Sequence, residues 1–357
     1  MRILEKIKQN KKIHYIGKAV KHISDPKYVE FYLDMESNPR LLYFKKNGEQ
    51  NKAKAIYVIT ENGNRWGYFA EFRAMLCKLL YADRMGFFPY INWRESFLYF
   101  DKEKETDIPN AFEYFFKQVN GLTLEEVENS YMVAYSKSAE AVMIEREFKD
   151  SDSYAGSDDF LKIMGDIYRK YISLNFETEQ KLEKEYGKLL GDFKTLGVHF
   201  RGTDYRREYD IHPVFVQVQE EIEEAYEIFN RYGYERVFLA TDEKDAIKEF
   251  ERKFGKDKIC YYNDTFRGST DISVAFSESQ RKHHKYKLGY EVLRDMWTLS
   301  KCSGLVAGVS QVGTCARILK ESRREIFEQI KIIDKGVNHN KNKFESRRPE
   351  MDDKNKK

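Results

Sequence analysis

No run of 18 apolar residues occurs in this 357-residue chain, which excludes a membrane-spanning helix. The first residues hold no apolar signal core, and a cytoplasmic location is the expectation. Only four cysteines are present, Cys77, Cys260, Cys302 and Cys315, and no CxxC or other zinc spacing relates them. Two lie in apolar stretches and read as buried small side chains, and a reducing compartment suits all four. Charge of one sign is also scarce. The 62 Lys and Arg against 59 Asp and Glu leave +3, which is no nucleic-acid footprint. No nucleic-acid partner is expected.

Two further absences concern phosphate chemistry. Asp150-Ser151-Asp152 has the Asp-x-Asp form that holds a metal and a diphosphate, but its acids lie in a polar stretch with no strand before them. No metal and no cofactor are expected. The run Gly308-Val-Ser310-Gln311-Val-Gly313-Thr314 looks partly like a P-loop, yet Thr314 stands where the Lys is required. That argues against a P-loop kinase.

What is there is enough for real cores: 41% of residues are hydrophobic, and the length suggests two domains. Residues 1–50 read as a basic, helical N-terminal arm. Within residues 1–23, apolar Ile3, Leu4, Ile7, Ile13, Ile16, Val20 and Ile23 recur near helical spacing beside seven Lys and Arg. Such a helix either lies on an anionic membrane, giving peripheral contact at the inner face of the inner membrane, or packs on the domain with a solvated basic face. Residues 51–190 start an α/β domain: a strand at 55–59, a Gly-rich turn at 62–67, a helix at 68–85 and a strand at 87–92. The pattern over 102–185 is mostly helical. Residues 191–334 form a second α/β domain, and residues 335–357 read as a disordered charged tail.

In that second domain three apolar strands end in polar residues. The first ends in His199-Phe-Arg201-Gly-Thr203-Asp204. The second, at 237–240, ends in Thr241-Asp242-Glu243. The third, at 304–308, ends in a small-residue turn with Ser310 and Gln311 before a helix at 314–320. Open α/β sheets bind ligands where strands end and loops begin. An Arg fork fits phosphate oxygens. Backbone amides at a helix N-terminus, helped by the Ser310 hydroxyl, suit the same anion.

These segments, with Leu239-Ala-Thr241-Asp242 and the Leu-x-Asp-x-x-x-Leu-Ser-x-Cys stretch at 293–302, resemble the fucosyltransferase superfamily. That group comprises the α-1,6-fucosyltransferases, the nodulation fucosyltransferases and the protein O-fucosyltransferases. The likeness covers about residues 190–330, and the turn Asn62-Gly63-Asn64-Arg65-Trp66-Gly67 resembles the group's first Gly-rich turn. Tyr68 replaces the Asn of the protein O-fucosyltransferases, a departure on the acceptor side.

The resemblance implies a glycosyltransferase-B-like α/β fold, with two Rossmann-like domains facing a cleft. It also implies metal-independent, inverting transfer of fucose from GDP-fucose. A bacterial surface glycan, in lipid-linked form among others, is the expected acceptor. Arg201 would contact the donor diphosphate, with Ser310, Gln311, Asn64 and Arg65 also on the donor side. Asp295 and His199 would sit near the guanine; the other reading of Asp295 is a helix residue paired with Arg294 or Lys301. Arg267 reads either as a phosphate or ribose contact or as a solvated loop Arg. Asp242 binds ribose, holds Arg201 or caps the following helix. A general base must take the acceptor's proton. The family Glu falls on Tyr209, so Asp204 and Glu208 are the nearby candidates, with Asp210 beside them. His212 before Pro213 resembles a structural His-Pro element. The basic run from Arg281 to Lys287 reads either as a patch that attracts an anionic donor or acceptor or as a mobile solvated loop. The rival functions are transfer from another nucleotide-sugar and a non-catalytic nucleotide- or glycan-binding protein.

Overall fold

The computed structural model describes residues 42–62, 66–148, 154–268 and 272–342. Most of the basic arm, Asn64, Arg65, the Asp150-Ser151-Asp152 stretch and the end of the tail therefore lie outside the described residues.

Strand β1 (Gln50–Ile59) leads to α1 (Tyr68–Met85) and β2 (Phe88–Ile91). After 3-10 turns come α2 (Leu124–Glu128), β3 (Ser130–Tyr135), α3 (Ser138–Glu147), α4 (Asp158–Tyr171) and α5 (Phe176–Leu189). The second unit runs β4 (Thr195–Phe200), α6 (Val218–Arg231), β5 (Arg236–Thr241), α7 (Lys244–Phe254) and β6 (Ile259–Cys260). It closes with α8 (His284–Lys301), β7 (Gly304–Gly308), α9 (Gln311–Ser322) and β8 (Gln329–Ile333).

All strand pairs are parallel, in two sheets ordered β2-β1-β3 and β6-β5-β4-β7-β8. The protein is therefore α/β with two Rossmann-like sheets, as expected. In the second sheet the chain winds one way from β4 through β5 to β6, then returns to place β7 on the other side of β4. The crevice for a ligand opens between β4 and β7, at their carboxyl ends.

Local sequence explains the elements. Every residue of β4 is buried, as a central parallel strand covered on both faces must be. Gly197 in its middle leaves room for α8: a Cβ there would lie 3.1 Å from Leu299 Cδ2 and 3.2 Å from Cys302 Cβ. Helix α1 is a core helix rather than a surface one, with 14 of its 18 residues buried. It stops at Gly86, whose φ of +68° suits glycine and whose N–H caps the last carbonyls.

The two units share a core. Phe69, Phe160 and Met164 from the first half join Leu293, Ile318 and Leu319 from the second in one cluster. Gly165 permits this, because a Cβ there would stand 2.8 Å from Glu321 Cβ and 3.1 Å from the Ser322 nitrogen. Helices α4 and α9 thus pack almost backbone to backbone.

Two segments differ from their sequence reading. β3 interrupts the stretch read as mostly helical; Val133 and Ala134 are buried between exposed Tyr131 and Tyr135, and the strand completes the first sheet beside β1. Residues 335–342, assigned to a disordered tail, form a strap along the loop after β4. Val214 N–H donates to Gly336 O (2.9 Å), Ile211 N–H to Asn338 O (2.9 Å) and Asp210 N–H to Asn342 O (2.8 Å).

Candidate functional site

The polar ends of β4, β5 and β7 converge as the strand order requires. Arg201, just past β4, is gripped from two sides: Nη2 meets Asp204 Oδ1 at 2.6 Å and Nη1 meets Asp242 Oδ2 at 2.7 Å. Nη2 also donates to Ser273 Oγ at 3.1 Å. Burial works against the Arg201 charge, but Asp204 and Asp242 outweigh it and hold the guanidinium protonated. Asp242 also accepts the Gly202 N–H (2.9 Å) and the Thr203 hydroxyl (2.6 Å). Burial opposes its ionisation, yet Arg201 and these donors keep its pKa below the usual carboxylate value. Of its expected roles, holding Arg201 is seen directly in these contacts. The residue before α7 is Glu243, which makes no side-chain cap, so the capping role for Asp242 is overturned. Glu243 pairs instead with Arg206 at 2.6 Å.

Ser310 is the N-cap of α9, its Oγ accepting from Gly313 N–H at 3.1 Å. The same oxygen lies 3.0 Å from His199 Nδ1. Ser310 Oγ and His199 Nδ1 thus hold one another, and which of the two donates is set by the tautomer of the ring. Burial pushes the His199 pKa down to about 4, so the ring is neutral at ordinary pH. The hydroxyl expected to reach a phosphate is thus engaged within the protein. The backbone amides of Gln311 and Val312 have no hydrogen bond within the described residues, and Val312 lines the cleft. Such amides at a helix start are a ready anion site. Gln311 Oε1 is buried without a partner.

Asp295, on α8, is only 8% exposed, lines the cleft and takes no hydrogen bond from the described residues. Burial lifts its pKa to about 7 despite Arg267 and Arg294. The paired-helix reading fails, because its neighbours are used elsewhere. Arg294 binds Asp264 (2.7 Å) and Glu185 (2.9 Å), and Lys301 binds Glu183 (3.2 Å). Arg267 is no solvated loop residue. It is 6% exposed, and donates from Nε to Thr241 O (3.1 Å) and from Nη1 to Tyr262 O (3.0 Å). Its Nη2 has no hydrogen-bond partner among the described residues. A carboxyl group and a guanidinium nitrogen thus stand close together with hydrogen-bonding capacity unspent.

Not every predicted residue joins the cleft. Glu208 is exposed, with φ +48°, and is absent from the cleft lining. Asp204 is committed to Arg201. Asp210 accepts the Asn340 N–H at 3.1 Å, on the strap side. His212 packs its ring against Tyr209, 5.7 Å between centroids, in keeping with a structural part. The basic run is not a free loop: Arg281 is paired with Glu291, and Lys285 donates to Ala275 O at 2.9 Å.

Tyr99, Phe266, Val274 and Glu291 also line the cleft and carried no sequence signal. Tyr99 is the contribution from the first unit. The cavity among these residues measures about 70 Å³. Small-molecule sites are roughly 300–1,000 Å³.

At the end of β1, Glu71 accepts the Asn62 N–H and side-chain amide at 3.0 Å each, fixing the entry to the Gly-rich turn. Burial raises Glu71 to about 7 and lowers the neighbouring Lys78 to about 8. Lys78 donates to Thr60 O at 2.8 Å.

No protein-family profile matches this chain, and no curated protein sequence does. Solved structures do. NodZ α-1,6-fucosyltransferase soaked with GDP-fucose is 16% identical, over 74% of this chain and 93% of its own, with a TM-score of 0.44. Fucosyltransferase NodZ from Bradyrhizobium gives 15%, 75%, 92% and 0.44 in the same order. POFUT1 in complex with GDP-fucose gives 11%, 80%, 99% and 0.42. At such identities the likeness is one of arrangement, and what the site does must be argued from its own residues.

Proposed function

We propose that this protein is a metal-independent, inverting glycosyltransferase that moves a sugar from a nucleoside-diphosphate sugar to a glycan. The observation that carries this reading is the pairing, across the β4/β7 crevice, of Arg201 with the unspent amides of Gln311 and Val312. In such a transfer the bond between the anomeric carbon and the diphosphate oxygen breaks, and negative charge grows on the leaving phosphate. Donors fixed in advance and aimed at that charge supply the largest catalytic contribution. Arg201 is held in place by Asp204 and Asp242 before any ligand arrives. The amides of α9 cost no reorganisation either.

GDP-fucose is the preferred donor. Guanine presents N1–H and N2–H₂ side by side, and the Asp295 carboxylate has both oxygens free to accept them. Arg267 Nη2, a donor, suits an acceptor on the same base or on the ribose. The motif resemblance supports fucose as the sugar. The acceptor hydroxyl oxygen attacks the opposite face of the anomeric carbon, and its proton passes to a base outside the set at the cleft floor. A bacterial surface glycan, built at the inner face of the membrane where the basic arm would dock, is the acceptor proposed.

Titration calorimetry with GDP, UDP and GDP-fucose in chelator tests the reading. It expects micromolar GDP binding that UDP does not match, followed by donor hydrolysis or transfer. UDP binding equal to GDP, or binding only after metal is added, overturns it. GDP binding with no turnover of donor by any route assigns the site to a nucleotide-binding protein instead.

A further inference from the structure

The geometry points to a second site, for a zinc-class divalent cation, formed by Asp101, Glu103 and His283 and tying the two units together. Asp101 and Glu103 come from the first unit, just after the cleft residue Tyr99. His283 comes from the second and is the N-cap of α8, the helix that carries Glu291 and Asp295 into the cleft. The three offer one ligand atom each, all within 4.8 Å of one another.

The spacing is that of ligands about a small cation. His283 Nδ1 lies 3.4 Å from Glu103 Oε2 and 3.7 Å from Asp101 Oδ1. Around a tetrahedral zinc with bonds of about 2.1 Å, neighbouring ligand atoms are about 3.4 Å apart. His283 Nδ1 is enclosed and has no hydrogen-bond partner, although two carboxylates face it. An imidazole placed for an ordinary hydrogen bond would have aligned with one of them. His283 also holds a left-handed backbone, φ +53°, a conformation non-glycine residues seldom adopt.

The carboxylates are oriented from behind, as metal ligands generally are. Asp101 Oδ1 accepts Glu103 N–H and Oδ2 accepts Tyr286 N–H, both at 3.1 Å, and Glu103 Oε2 accepts His283 N–H at 3.1 Å. Nearby cations are occupied elsewhere: Arg281 by Glu291, Lys285 by backbone carbonyls, and Lys104 over the Tyr286 ring. One imidazole and two carboxylates suit zinc, and three protein ligands leave a position for water. The cation joins the turn after Tyr99 to the start of α8, and its three ligands lie outside the cleft lining. It takes no part in the transfer, so this site and the metal-independence of the reaction stand or fall separately.

The test uses the full chain, stripped with chelator and titrated with zinc chloride alone. One equivalent is expected to bind at micromolar concentration or tighter. His283→Ala and Glu103→Gln should each weaken it about tenfold or more. Saturating zinc should raise the melting temperature of the wild type and leave that of each variant unmoved. Glu103 is largely exposed, so Glu103→Gln carries the test if His283→Ala does not fold. No saturable zinc binding, equal binding by wild type and variants, or preference for calcium over zinc overturns the proposal.

Discussion

Asp295 sets stability against ligand binding, and replacing it with Asn separates the two. Its carboxyl ordinarily ionises at 3.8, and burial raises that to about 7. A pKa raised in the folded state means that the unfolded chain gives up this proton first. The cost to the fold is absent below about pH 4, grows as pH rises, and is complete above 7. A shift of about 3 units corresponds to at most ~4 kcal/mol at pH 8. Asp295→Asn removes that charge from a position where no protein group bonds it. The ligand-free variant should therefore melt several degrees higher than wild type at pH 8, and no higher at pH 4. GDP binding should respond in the opposite sense. Only the ionised carboxylate accepts from both guanine donors, so wild-type affinity should rise about tenfold from pH 6 to pH 8. His199, at about 4, stays neutral throughout and does not confuse the profile. Glu71 also titrates near 7, which makes the variant the necessary control. Melting scans and calorimetry at four pH values would check both effects. A GDP affinity flat with pH, or a pH dependence that survives in Asp295→Asn, would refute the reasoning.

Other consequences are as specific. Arg201→Ala leaves buried Asp204 and half-buried Asp242 without their cation, so it should cost up to about 3 kcal/mol in denaturant unfolding, besides lowering turnover by about 10²–10³. A variant of wild-type stability would contradict the ion-pair geometry. Ser310→Ala removes the cap of α9 and the partner of His199; a loss of about 1 kcal/mol and weaker donor binding are expected by melting and calorimetry. Gly165→Val should force α4 away from α9, and its unfolding midpoint should fall with little change in helix content. Truncation after residue 334 removes the strap along the loop after β4. Faster proteolysis within 207–214 would show it, and an unchanged digestion pattern would argue against the strap.

The motif segments announced themselves because parallel α/β sheets impose a local grammar. A short apolar strand, a polar or small-residue end and a helix form one unit of sequence, so β4, β5 and β7 and the residues following them could be marked one by one. Helix α1 was equally plain, following a strand and a Gly-rich turn and running over 68–85. β3 was not. Its six residues lie between helices, and only pairing with β1 makes them a strand. The strap at 335–342 has no apolar pattern at all; its order rests on backbone hydrogen bonds to another segment.

The site divides in the same way. From the sequence came the residue types and, for Arg201, Asp242 and Ser310, their placement after strand ends, whereas Asp295 was marked by the motif resemblance around a helix. Tertiary structure decided what each one is free to do. It spent the Ser310 hydroxyl on a cap and on His199, closed Asp242 and Asp204 around Arg201, and buried Arg267 among carbonyls. It left Asp295 without a partner and brought in Tyr99 from the other unit. The physical reason is that hydrogen-bonding capacity belongs to the residue, whereas burial and partners belong to segments far apart in the chain.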